Sequence, residues 1–156
     1  MKFKLITQQQ AEEIAYEWHY DGDYAFYDME ADEEDLAEFL DPVKRGEHIY
    51  AVMQDSELIG FFGFNLKRDD IVDIGLGMRP DLTEKSLGTD FVQAGLEFAI
   101  DRFEPEKITL SVAVFNQRAI KVYEKVGFES AGTFMQDTNG GTYEFLKMEY
   151  QCCYSL

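Results

Sequence analysis

Ile71-Val72-Asp73-Ile74-Gly75-Leu76-Gly77-Met78, stopped by Arg79-Pro80-Asp81, opens the part of the chain that decides the fold. Its apolar and β-branched residues predict a strand, and proline, which cannot donate to a ladder, ends it. From Lys85 the period becomes helical: Leu87, Phe91, Ala94, Gly95, Phe98 and Arg102 fall on one stripe, broadened by Leu96, Ala99 and Phe103. Pro105 punctuates, and Ile108–Val114 predicts a second strand. Strand, helix and strand in that order require a right-handed parallel crossover.

Outward from this unit the signals are local and antiparallel. Ile49–Met53 and Leu58–Leu66 predict a hairpin about Asp55-Ser56-Glu57, and Lys67-Arg68-Asp69-Asp70 turns the chain into the strand at Ile71. Earlier, Thr7-x-x-Gln10 with Ile14 and Trp18, and Asp32-x-x-Asp35 with Leu36, Phe39 and Leu40, predict two short helices opening the chain. Later, Asn116–Lys125 predicts a helix ended by Gly127, and Phe128–Met135 with Thr142–Tyr150 a closing hairpin across Asn139-Gly140-Gly141. The expected fold is α+β, one domain over residues 1–156, with a mixed, mostly antiparallel sheet whose central parallel pair is flanked by helices.

Composition sets the boundaries on function. At 156 residues, 46% hydrophobic and 15% aromatic, the chain can bury a core. Its net charge of −17 argues against nucleic acid and anionic membranes as partners, since both require positive charge at the contact. The adjacent Cys152 and Cys153 fit neither a structural bridge nor a zinc site, and the N-terminus turns polar at Gln8-Gln9-Gln10. No apolar run has the ~20 residues of a membrane span. A cytoplasmic location and no metal are the expectations.

Several chemistries lack their residues. Gly75-Leu76-Gly77-Met78-Arg79-Pro80 begins like a dinucleotide-binding loop but carries proline at the third glycine and lies within the strand. There is no phosphate-binding G-x-x-x-x-G-K-[ST], no H-E-x-x-H, and Asp21-Gly22-Asp23 lacks the other ligands of a calcium loop. Thr83-Glu84-Lys85-Ser86-Leu87-Gly88-Thr89 has two readings: an anion site built from helix N-terminal amides with Lys85, or an ordinary helix start.

The segment from Ile74 to Gly88 resembles the acetyl-CoA motif of the GNAT N-acetyltransferase superfamily, keeping Gly88 and departing at Thr83, Glu84 and Ser86. Asn116-x-x-Ala119-x-x-x-Tyr123-Glu124-Lys125-x-Gly127-Phe128 is similar to that superfamily's second motif. Asp73-Ile74-Gly75 and Tyr143-x-Phe145-x-x-Met148 look most like the branch of ribosomal-protein N-terminal and spermidine acetyltransferases. The resemblance covers essentially the whole chain and implies acetyl-CoA as co-substrate. It implies pantetheine bonded along Leu76–Met78, pyrophosphate on the amides of Lys85, Ser86, Leu87, Gly88 and Thr89, and Asn116 against the pantetheine arm. Asp73 would relay the acceptor's proton through water and Tyr123 would protonate the leaving thiolate.

Charge distribution completes the expectation. Residues 1–78 carry 19 acids and 6 bases, against 12 and 8 in residues 79–156. Between Glu17 and Asp41 there are 11 acids and no Lys or Arg, interleaved with Trp18, Tyr20, Tyr24, Phe26, Tyr27 and Phe39. In the resembled fold this segment walls the acceptor side, so a small-molecule or peptide amine, cationic like a polyamine, an aminosugar or a basic N-terminus, is the expected substrate. A solvated acidic face is the other reading. A non-catalytic module sensing acyl-CoA or a cationic ligand is the alternative function, and a second copy of the chain is a candidate partner.

Overall fold

The computed structural model describes residues 1–68, 70–83 and 87–152. It begins with a strand, β1 (Lys2–Leu5), where the sequence was expected to begin with helices. The two expected helices follow as α1 (Gln8–Glu17) and α2 (Glu33–Leu40), linked by two 3₁₀ turns, Gly22–Tyr27 and Met29–Ala31. Both starts are fixed by side chains. Thr7 and Gln10 form a reciprocal capping box, and Asp32 accepts from the Asp35 N–H at 3.0 Å. A short α3 (Pro42–Arg45) then leads into β2 (Ile49–Gln54) and β3 (Glu57–Arg68). Asp55 and Ser56 both have positive φ, the geometry of a two-residue turn whose twist matches its strands.

β4 (Ile71–Met78) matches its sequence reading, whereas α4 (Gly88–Phe103) starts later than the expected Lys85, with Leu87 at its N-cap. β5 (Lys107–Ala113), α5 (Gln117–Val126) and the hairpin of β6 (Glu129–Thr138) and β7 (Gly141–Gln151) complete the chain. No helix among the described residues is long and apolar enough to cross a membrane.

The strands form one seven-stranded sheet in the order β1-β2-β3-β4-β5-β7-β6, with β4 and β5 its parallel pair. Strand alternation sends side chains to two cores. Phe62, Phe64, Val72, Ile74, Ile108 and Leu110 pack under α4 and α5 with Phe91, Leu96 and Tyr123. On the other face, Ala51, Leu58 and the partly buried Phe61 meet Ile14, Trp18 and Phe39 of α1, its C-cap and α2. The close fit of α4 depends on Gly95, where a Cβ would enter the Phe62 ring.

Candidate active site at the strand splay

The parallel pairing is short. β4 and β5 stay in register only through Ile71↔Lys107, Val72↔Ile108 and Asp73↔Thr109, after which no pairing joins them. β4 continues to pair with β3 as far as Met78, and β5 with β7 as far as Ala113. The two strands therefore diverge, and each presents one backbone edge to the gap. The Arg79 N–H donates to Ile59 O across β3 at 2.8 Å, so by ladder alternation the polar groups of Leu76 and Met78 point away from β3, into the splay.

A cavity of about 410 Å³ occupies this gap and reaches both faces of the sheet. On the helix side it is lined by Gly88, Phe91 and Val92 of α4 and by Asn116, Val122 and Tyr123. On the other side it is lined by Trp18, Tyr20, Phe26 and Asp35 from the start of the chain and by Gln136 and Asn139 of the closing hairpin. Gly75 and Gly77 form part of its wall. The cavity is thus walled by residues from both faces of the sheet.

The acidic segment fastens both diverging strands. The Tyr20 hydroxyl donates to Met78 O at 2.7 Å, and the Ala113 N–H donates to the Tyr27 hydroxyl at 3.2 Å. Burial raises both phenols' pKa values above the usual tyrosine range, so both remain protonated near neutral pH. At the far rim, Asp32 accepts from the Asn139 N–H at 2.9 Å and from Thr138 Oγ1 at 3.2 Å, while Asn139 Nδ2 donates to Phe26 O. Hydrogen bonds to the charged form hold Asp32 below the ordinary carboxylate pKa, led by the Asn139 amide. These tyrosine straps and the hairpin clamp carry no individual signature in the sequence beyond the interleaving of acids with aromatics.

The residues singled out in the sequence fall at three levels of this site. Tyr123 lines the cavity from α5, 9% exposed, and burial raises its pKa, with the Tyr27 phenol adding to the shift. Asn116 also lines it and caps α5, accepting from the Ala119 N–H at 3.2 Å. Leu76, Met78 and Gly88 are on the wall, and Leu87 and Thr89 flank Gly88 where α4 begins with amides not bonded within the helix. Lys85 and Ser86 lie outside the described residues.

Asp73 is one step back, at the last paired register position. It accepts from Thr109 Oγ1 at 2.7 Å and lines an adjoining groove, not the cavity itself; Ser111 lines both.

The family model described as an acetyltransferase (GNAT) domain matches residues 1–129. An acetyltransferase (GNAT family) from Bacillus anthracis shares the fold at TM-score 0.75 and 18% identity, covering 96% of this chain and 93% of that one. A spermidine N-acetyltransferase SpeG chimera from Vibrio cholerae and hSSAT gives TM-score 0.72 at 17% identity, covering 96% and 94%. Aminoglycoside acetyltransferase AAC(6')-Ib in complex with coenzyme A gives 0.73 at 23%, covering 96% and 93%. No curated protein matches the sequence. With a family model spanning most of its length and a sheet that opens at its parallel pair, the chain belongs to the GNAT acetyltransferases.

Proposed function

We propose that the protein transfers the acetyl group of acetyl-CoA to a primary amine of a cationic acceptor, such as a polyamine, an aminosugar or a basic N-terminus, in a ternary complex. The observation that carries this reading is the cavity through the splay, open on the helix face and, on the opposite face, walled by aromatic rings and carboxylates. Two neighbours in fold are named as a spermidine and an aminoglycoside acetyltransferase, which fits an amine acceptor.

Acetyl-CoA supplies the acyl group as an activated thioester. The chain's residues fit it: the splay-facing backbone of Leu76 and the Met78 N–H offer an extended amide chain a strand-like edge. The Met78 carbonyl is engaged by Tyr20. The first amides of α4, from Leu87 through Gly88 to Thr89, with Lys85 and Ser86 before them, form the proposed pyrophosphate seat. Asn116 sets the start of α5 beside the arm.

Starting from the acceptor's ammonium form, the reaction forms an amide C–N bond, breaks the thioester C–S bond, releases one nitrogen proton to bulk and places another proton on the departing sulfur, whose donor is restored by the second proton lost from nitrogen. Asp73 accepts the first through water, oriented by Thr109 and adjoining the cavity at Ser111. Tyr123 supplies the second. Its raised pKa keeps the phenol protonated, and the same burial raises the pKa of a thiol held beside it, which narrows the mismatch between donor and acceptor.

Calorimetry with acetyl-CoA, followed by free-thiol release over a panel of amines, tests the proposal. Thiol release with at least one cationic amine is expected. Binding without release on any amine would assign a sensor instead, and no binding would remove both readings.

A further inference from the structure

Of the 11 acids between Glu17 and Asp41, only Asp28 and Asp35 line the cavity among the described residues. Asp28 is engaged: one carboxylate oxygen accepts from the Tyr20 N–H at 2.8 Å and the other meets His19 Nδ1 at 3.1 Å. Asp32, next to the cavity, holds the hairpin tip, and Asp41 caps α3 by accepting from the Val43 N–H at 2.9 Å.

Asp35 is different. Its backbone N–H is held by Asp32, but no hydrogen bond or ion pair among the described residues engages its carboxylate. Among the described residues the only Lys or Arg lining the cavity is Arg118, whose guanidinium lies over the Tyr24 ring at 4.2 Å. Partial burial, then the charges of Asp32, Glu38 and Glu34, raise the Asp35 pKa above the ordinary carboxylate value. Asp35 is solvent-exposed, so the charges of Asp32, Glu34 and Glu38 around it, and not deep burial, set it apart, and it lines a cavity with aromatic walls. A cation placed there relieves that repulsion and meets the aromatic wall at Phe26.

We infer that Asp35 selects the acceptor by binding a second cationic group, so that the substrate is a di- or polyamine whose reacting nitrogen enters the splay while another ammonium rests on Asp35. The inference rests on the acetyl-transfer reading for its reacting end. A monoamine would leave the Asp35 charge uncompensated.

The test pairs a linear diamine with the alkylamine of equal length that lacks the second amino group, using thiol release with wild type, Asp35→Asn, Asp35→Glu and Glu34→Gln. Glu34 precedes Asp35 on the same helix and does not line the cavity, so its variant controls for bulk charge. Loss of one charge-assisted contact predicts that Asp35→Asn raises KM for the diamine roughly tenfold, with kcat changed less than about twofold and the alkylamine unaffected. Asp35→Glu should recover part of the diamine preference. Equal KM shifts on both amines, or the same shift from Glu34→Gln, would overturn the inference.

Should wild type turn over neither amine, the acetyl-transfer reading fails, and calorimetric binding of the diamine decides Asp35 separately. Weaker binding to Asp35→Asn supports the site; equal binding, or no binding to wild type, overturns it. Should Asp35→Asn not fold, the wild-type KM for the diamine must rise more steeply with salt than that for the alkylamine; equal slopes overturn the inference.

Discussion

The Tyr20 hydroxyl donates to the Met78 carbonyl at 2.7 Å, fastening a loop from the start of the chain to the tip of β4. Without this bond the carbonyl would face the gap left by β5. Tyr27 does the corresponding work on β5 by accepting from the Ala113 N–H, so the opening of the sheet is held on both sides by one acidic segment.

Tyr20→Phe removes the first strap while keeping the ring. A net intramolecular hydrogen bond contributes about 1 kcal/mol, so the melting temperature should fall by about 2–4 °C. The wall it anchors belongs to the proposed acceptor side, so KM for the acceptor should rise more than that for acetyl-CoA. An unchanged melt and unchanged KM values would show that the bond does not set the opening.

Tyr123→Phe leaves the packing of a 9%-exposed ring intact and deletes its proton. Positioned acid–base groups contribute on the order of 10²-fold or more, so kcat should fall on that scale with the acetyl-CoA dissociation constant nearly unchanged. Full activity would exclude Tyr123 as the acid.

Gly75 and Gly95 should respond oppositely to a side chain. A Cβ at Gly75 meets nothing within 4 Å and Gly75 is on the cavity wall, so Gly75→Val should keep the melting temperature while raising KM for the acceptor. A Cβ at Gly95 enters the ring of fully buried Phe62, and Gly95→Ala should lose about 1–3 kcal/mol in denaturant titrations.

His19 links stability to pH. Its ring nitrogens meet Asp28 Oδ2 at 3.1 Å and Tyr16 O at 2.9 Å, and the Asp28 hydrogen bond is the main cause of its raised pKa. A raised folded-state pKa gives stability that is full below the unfolded value of about 6.5 and is lost as pH rises through the folded one. Melting temperatures should therefore decline above about pH 6.5, the unfolded reference value. His19→Gln should flatten that decline; an identical slope would show that other groups cause it.

Much of this was legible because its signals are local. Thr7 with Gln10, Asp32 with Asp35, and Gly127 at φ 122° mark element ends by contacts within a few residues. β1 was missed because its four residues are mostly exposed and only Phe3 packs, stacking on Phe98 at 4.7 Å. Its strand state comes from pairing with β2. The stripe of α4 was read correctly, but the helix starts at Gly88, because Leu87, which fits the apolar stripe, is its N-cap.

Taken alone, the sequence determined the crossover and the family, because a strand, a helical stripe and a second strand admit one handed connection and the Asn116–Phe128 motif lies within one continuous stretch. Tertiary structure decided which of the acids faces the cavity and which tyrosines hold it open. Asp28, Asp32 and Asp35 share composition and neighbourhood. What separates them is the partners that folding brings to each: His19 and Tyr20 to Asp28, Asn139 to Asp32, and open cavity to Asp35.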